Sequence, residues 1–218
     1  MTKDEGMKLK AISVAAKVLL GLIPAVCQAQ DFSADVVYGT TGKPAGRSSG
    51  AANSLHQSSA LYVSKDKVRL ETRGFTGTIL LVNAEEHTTV ALFPAQRAYQ
   101  PLAAGPSQYF RVGNAEDACP DWQKAADQKI VCEKVGHEAV DGRQTVKYLN
   151  KGASADATTA VWIDPTLNFV IKWESLETGA ELRNIKEGQQ SADLFVIPAG
   201  YGALKPQNKK LRMRGRTK

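Results

Sequence analysis

Apolar and polar residues alternate in short runs along most of the chain between residues 31 and 202. In the run NFVIKWESLE, Phe169, Ile171 and Trp173 occupy every second position, and Lys172 and Glu174 fall on the other phase. Successive side chains of a strand point to opposite faces, so this pattern predicts a strand with one apolar face.

The other runs predict a series of short strands separated by turns. Their spacing is close to the roughly 8–12 residues typical of an antiparallel sandwich or barrel. No long helical segments separate them, which argues against a parallel βαβ arrangement. The predicted strands cover residues 31–38, 58–65, 67–73, 77–83, 88–93 and 97–102, and then 130–135, 137–140, 143–149, 159–164, 169–177, 181–187 and 193–198.

Two of these strands, TILLVN and TVALF, are apolar on both faces. Such strands are either covered on both sides or line a cavity, and the difference bears on function. One helix is predicted, over residues 119–129, because Pro120 and Asp121 suit a first helical turn.

The hairpin sequence CEKVGHEAVDGRQTVKYL contains a histidine, two acids and an arginine within a few positions. Asp141 followed by glycine predicts a two-residue type I′ turn, whose central residues have positive φ. Strand alternation then separates His137 from Glu138, and Arg143 is expected to be exposed. We therefore interpret these residues as a solvated hairpin and predict that the protein is not an enzyme, with no catalytic residue, metal or cofactor. A hydrolase site built from distant residues stays open as a third interpretation.

Residues 1–29 resemble a secretory signal. Lys8 and Lys10 precede the short apolar run VLLGLIPAV, which is too short to span a bilayer. Cleavage after Ala29 would place small side chains at the two positions that signal peptidase reads. A lipid anchor on Cys27 is the less favoured alternative, because the preceding residues fit a lipobox poorly.

Two cysteines, Cys119 and Cys132, remain after this segment. An even number in an exported chain suggests a disulfide. A two-thiol metal site is the less favoured alternative, since no histidine lies at a suitable spacing.

The positive charge of the chain is concentrated at its C-terminus. Residues 205–218 contain seven Lys or Arg and no acid, whereas residues 30–204 contain slightly more acids than bases. Nucleic-acid binding by the folded part therefore has little support. We expect residues 205–218 to be a disordered tail that could contact an anionic membrane surface through Lys209, Lys210, Arg212, Arg214 and Arg216.

Several motifs, in their order along residues 31–204, resemble the LolA/LolB-like superfamily of periplasmic lipoprotein carriers, and especially its uncharacterised envelope branches. These motifs are LYVSKDKVRLET, TILLVNAEEHTTVALFPAQRAYQPL, CEKVGHEAVDGRQTVKYL, VWIDPTLNFVIKWE and DLFVIPAGYGAL. The resemblance implies a LolA-like β domain over residues 30–204, mainly β, with an open antiparallel half-barrel and a short helical lid over its apolar concave face.

In this family the concave face binds acyl chains of lipids or lipoproteins. The resemblance suggests that Arg69 contacts lid carbonyls and that the Cys119–Cys132 link ties the lid to the next strand. The expected cavity residues are Leu80, Val82, Leu92, Ile171 and Trp173, with Tyr62 and Tyr99 near the rim. The mature chain lacks the amphipathic helix that opens the carrier proteins, so its lid is expected to be smaller.

The leading prediction is a non-enzymatic periplasmic binder or carrier of lipid acyl chains or lipidated protein. The alternative is a ligand-free interaction or structural protein of the cell envelope, which would use a sheet edge or the tail as its contact surface.

Overall fold

The computed structural model describes residues 31–40, 59–72, 77–103, 111–125, 130–152 and 158–204. The predicted signal segment 1–29 with Cys27 and the predicted tail 205–218 lie outside the described residues. In the part of the chain that the structure describes, no helix is both long and apolar enough to cross a membrane.

Strands make up most of the described chain, as the alternating pattern predicts. The first six are β1 (Phe32–Thr40), β2 (Ser59–Ser64), β3 (Lys67–Thr72), β4 (Ile79–Asn83), β5 (Thr88–Phe93) and β6 (Ala98–Leu102). A seven-residue helix, α1 (Cys119–Ala125), follows. The remaining strands are β7 (Val131–Val140), β8 (Arg143–Lys151), β9 (Thr158–Asp164), β10 (Phe169–Glu174), β11 (Thr178–Glu187) and β12 (Gly202–Ala203).

All twelve strands form one open sheet in the order β12-β6-β5-β4-β3-β2-β1-β11-β10-β9-β8-β7. Neighbouring strands are antiparallel except β12, which pairs with β6 in parallel. The first strand therefore lies inside the sheet, between β2 and β11. This arrangement confirms the prediction of a mainly β protein with an open, mostly antiparallel sheet.

One face of the sheet, called here the inner face, carries the main hydrophobic core. The core is built from side chains of β1–β3, β7 and β9–β11, and side chains of β4 pack against it. The Phe32 and Phe169 rings pack edge to face with centroids 5.2 Å apart. We call this set of residues the inner core: Phe32, Ala34, Val36, Leu61, Val63, Val68, Leu70, Val140, Trp162, Leu167, Phe169, Ile171, Ala180 and Leu182.

The opposite, outer face carries a second cluster, which packs against α1. Its strand residues alternate with those of the inner core: Val161 and Ile163 belong to it, and Trp162 does not. This helix-side cluster comprises Val112, Ala115, Ala118, Trp122, Val146, Tyr148, Val161, Ile163 and Val170. The helix forms within the predicted residues 119–129 and packs on the outer face, where Ala118 and Trp122 contact an apolar surface on β8–β10. Its role as a lid over a cavity stays a prediction.

Two predicted strand boundaries are also corrected. The runs 130–135 and 137–140 form the single strand β7, with a register shift near Gly136, whose φ is 149°. Glycine tolerates this backbone conformation, which lets the strand continue through the irregularity. The run predicted over 193–198 is instead a 3₁₀ turn, Ala192–Phe195, with no buried residues. The chain then runs along the sheet to form β12 beside β6.

Candidate functional site on the two faces of the sheet

Three of the seven predicted cavity residues, Leu80, Val82 and Ile171, lie on the inner face. Leu80 and Val82 pack against the margin of the inner core and are partly exposed. Ile171 is only 1% exposed and belongs to the core itself. Trp173 lies at the boundary between the two faces, because its cross-strand partners are Val161 of the helix-side cluster and Ala180 of the inner core. It is partly exposed and packs against both clusters.

The outer face carries three predicted cavity residues, Tyr62, Leu92 and Tyr99. Tyr62 alternates with Leu61 of the inner core, so its side chain points outward. Leu92 follows Ala91, which is directly opposite Leu80 of the inner face. Leu92 therefore lies on the outer face, and Tyr99 is its direct cross-strand partner. Leu92 is fully buried there.

Side chains fill the centre of the inner face. The largest of those that are essentially inaccessible to solvent include Phe32, Phe169, Leu61, Ile171 and Leu182. Leu80, Val82 and Trp173 lie at the margins of the core and retain exposed area.

The indole N–H groups of Trp162 and Trp173 are buried and have no hydrogen-bond partner among the residues that the structure describes. Buried polar groups are normally hydrogen-bonded, because an unpaired donor loses its water without compensation.

Two lysine–glutamate ion pairs lie on the β8–β10 side of the inner face. The ammonium groups of Lys147 and Lys172 lie 4.6 Å and 4.4 Å from the centroid of the Trp162 ring. Lys147 pairs with Glu138 at 2.9 Å and Lys172 pairs with Glu174 at 3.0 Å. The hydrogen bond from Lys147 lowers the pKa of Glu138. These contacts account for the lysines structurally: each covers the indole with its charge satisfied.

Arg69 contacts the C-terminal segment rather than α1. Its Nη1 donates to the Leu194 carbonyl oxygen at 2.8 Å, and its Nε donates to Glu71 Oε1 at 2.6 Å. Its direct cross-strand partner is Tyr62, so Arg69 lies on the outer face. The arginine thus fastens the segment that leads to β12.

The charged residues of the β7–β8 hairpin make separate contacts. Asp141 and Gly142 have φ values of 48° and 76°, in agreement with the predicted type I′ turn. His137 is largely exposed, and its Nε2 lies 3.1 Å from Glu116 Oε1. Lys134 binds the other oxygen of Glu116 at 2.5 Å, and the two hydrogen bonds, Lys134 first, lower the pKa of Glu116. Within the described ranges no group of three or more His, Cys, Asp or Glu residues is placed to hold a metal ion.

Arg143 is not the exposed residue that the hairpin pattern suggests. Its Nε donates to Asp164 Oδ2, and its Nη2 donates to Glu187 Oε1 at 2.6 Å. The Asp164 side chain is only 2% exposed, and its Oδ1 also accepts from the backbone N–H of Thr166 at 2.8 Å and that of Leu167 at 3.3 Å. Burial disfavours the Arg143 cation, but the hydrogen bonds with the two carboxylates outweigh it and raise the pKa of Arg143. This arginine ties three strands together.

A disulfide between Cys119 and Cys132 joins the start of α1 to β7, as the even cysteine count suggests. Beside it, the Tyr148 hydroxyl donates to the Ala115 carbonyl oxygen at 2.8 Å and accepts from the Ala118 N–H at 3.3 Å. Burial raises the pKa of Tyr148. Disulfides persist in oxidising compartments, so this link points to a location outside the reducing cytosol.

No family model and no curated protein matches the sequence. Among solved structures, the fold is similar to an uncharacterised conserved protein from Thermus thermophilus, at 10% identity and a TM-score of 0.50, over 82% of this chain and 91% of that one. It also matches the MucA/MucB complex of Pseudomonas aeruginosa, at 13% identity and a TM-score of 0.45, over 80% of this chain and 57% of that one. A LolA superfamily protein from Nitrosomonas europaea matches at 11% identity and a TM-score of 0.35, over 77% of this chain and 90% of that one. The LolA-superfamily resemblance is thus found as a distant structural match, and identities this low concern the fold alone.

Proposed function

We propose that this protein is a non-catalytic periplasmic binder of acyl chains, presented by a lipid or by a lipidated protein. The supporting observation is the pair of partly exposed apolar side chains, Leu80 and Val82, at the margin of an otherwise packed inner core. An acyl chain laid along this margin would lose water from its methylene groups, at about 0.8 kcal/mol for each one buried.

Two observations support the periplasm as the compartment. Residues 1–29 have the charge and hydropathy pattern of a cleavable secretory signal. The disulfide between Cys119 and Cys132 needs oxidising conditions to persist. Cleavage after Ala29, rather than lipid attachment at Cys27, would release the protein as a periplasmic carrier.

The test is a titration of the purified full-length protein with a fluorescent sixteen-carbon fatty acid, together with native mass spectrometry of protein prepared from periplasm. We expect saturable binding and co-purifying acyl species. Replacing Val82 by threonine (Val82→Thr) introduces a hydroxyl on the inner face, and we expect it to weaken binding several-fold.

Val90 provides a matched control. It lies on the neighbouring strand β5, is also partly exposed, and points to the outer face because its cross-strand partner is Leu81. Val90→Thr should leave the affinity unchanged. Equal effects of the two substitutions, or protein that is free of lipid and ignores the fatty acid, would contradict the proposal.

The second candidate is a ligand-free interaction protein of the cell envelope. The filled centre of the inner face favours it, because a core packed with Phe32, Phe169 and Ile171 can serve stability alone. Protein that carries no lipid and binds no fatty acid, but that captures the same envelope protein reproducibly after crosslinking, would establish this function instead.

A further inference from the structure

A groove of about 350 Å³ crosses β2, β1 and β11 on the outer face of the sheet. Five of the seven residues that line it are polar, which distinguishes it from the apolar margins of the inner face. The lining residues are Ser33, Ala34, Asp35, Ala60, Tyr62, Asn184 and Lys186.

An irregularity in the middle of the sheet lies beside this groove. Ser33 is opposite Lys186 and Asp35 is opposite Arg183, so β11 has one residue more than β1 between these pairs. Such a bulge re-aims side chains and is frequent near binding sites. Asn184 within the bulge has a φ of 53°, which is uncommon for a residue other than glycine. Its Nδ2 donates to Asp35 Oδ2 at 2.8 Å.

Three further polar groups form a row across the groove. Ser33 pairs directly with Tyr62 on one side and with Lys186 on the other, so their side chains are neighbours on one face. Among the described residues, none of these three side chains has a hydrogen-bond or ion-pair partner. Ala60, whose side chain is small, keeps the floor of the groove low. The row therefore offers a hydroxyl, a phenol and an ammonium group to a ligand.

The charges of the groove select among ligand classes. Asp35 and Lys186 contribute one negative and one positive charge. The neighbouring charges are already paired, Arg183 with Glu181 at 2.9 Å and Arg69 with Glu71 at 2.6 Å. A phosphate or carboxylate would approach Asp35, and an amine would approach Lys186, so neither is favoured. A neutral molecule rich in hydroxyl groups can use both, because a hydroxyl donates to a carboxylate and accepts from an ammonium group.

We propose that this groove binds a neutral carbohydrate of one or two sugar rings. Its volume lies at the lower end of the roughly 300–1,000 Å³ of small-molecule sites, which suits a ligand of that size. The Tyr62 side chain presents an apolar ring and a polar tip, and both match the mixed surface of a sugar. The site is on the outer face and does not depend on acyl binding at the inner face.

The test is a two-dimensional ¹H–¹⁵N NMR titration of the full-length protein with maltose, cellobiose and chitobiose, each also as the hexasaccharide. We expect the amide signals of the groove residues to shift in a saturable way with at least one of these sugars. If a hexasaccharide binds more tightly than its disaccharide, the natural ligand is part of a polymeric glycan. If the two bind equally well, the natural ligand is a free sugar. Galacturonic acid and inorganic phosphate serve as anionic comparisons.

Two variants assign the binding to the groove. Lys186→Gln removes the ammonium donor and should weaken saccharide binding about tenfold, as expected for a hydrogen bond to a charged group. The matched control is Lys124→Gln, an exposed lysine of α1, which should leave binding unchanged. Asp35→Asn makes the groove net positive and should increase the affinity for galacturonic acid relative to maltose.

The wild-type titration decides the proposal even if a variant fails to fold. Absence of shifts with every neutral saccharide, shifts confined to residues outside the groove, or a response to the anions alone would each overturn it. The proposal is also overturned if the Lys186→Gln and Lys124→Gln variants bind saccharide equally well while both keep the wild-type spectrum outside the site of substitution.

Discussion

At the scale of single residues, Arg143 combines two contacts that strand alternation cannot foresee. Its carboxylate partners, Asp164 and Glu187, lie 21 and 44 residues later in the chain. Local pattern predicts which way a side chain points, and it carries no information about which distant strand lies beside it. The same limit applies to Asn184, whose partner Asp35 lies 149 residues earlier.

We predict that Arg143→Ala lowers the free energy of unfolding by about 3 kcal/mol, because it leaves the buried carboxylate of Asp164 without its cation. Urea denaturation measures this change. Arg183→Ala is the control: its ion pair with Glu181 is more exposed, and its loss should cost less than about 1 kcal/mol. Equal losses for the two arginines would show that Asp164 does not depend on Arg143.

At the scale of elements, the two-residue period of the sequence predicts most strands and the β7–β8 turn. It does so because one buried face per strand imposes that period on the side chains. The pattern does not show on which face α1 packs, since a seven-residue helix can cover either apolar face of β8–β10. The period also does not show which face of a strand points to the inner core, and the predicted cavity residues consequently fall on both faces of the sheet.

The link between α1 and β7 leads to a prediction at this scale. Replacing both Cys119 and Cys132 by serine should lower the free energy of unfolding by about 3 kcal/mol, because the closed loop restricts the unfolded chain. Chemical denaturation with and without reductant measures the effect. Reductant should destabilise the wild type by a similar amount and leave the double variant unchanged. A wild type that is insensitive to reductant would contradict this account.

At the scale of the whole molecule, exposed apolar side chains come shortly before the basic residues 205–218 in the sequence. Val196, Ile197 and Leu204 are 51%, 38% and 37% exposed. A moderate apolar surface together with a cluster of basic residues favours binding to anionic membranes, since each signal alone is weak. We therefore extend the proposed function to a contact with anionic lipid through Lys209, Lys210, Arg212, Arg214 and Arg216.

Removing residues 205–218 tests this contact by sedimentation with vesicles. The full-length protein should bind vesicles containing phosphatidylglycerol and lose that binding at high salt, because the attraction is screened. The shortened protein should bind them much less, and neither protein should bind pure phosphatidylcholine. Undiminished binding by the shortened protein would exclude the tail as the contact.

The interior position of β1 also constrains the order in which the molecule can assemble. Phe32 lies in the first strand of the described sheet but pairs with Glu187, which lies in the second-last strand along the chain. One edge of β1 therefore has no partner strand until β11 has been synthesised. Contacts of such long sequence separation slow folding, because the intervening chain must close a large loop first. A nascent chain that ends before β11 would expose that edge of β1 to other strands. Incomplete chains of this kind are prone to aggregation.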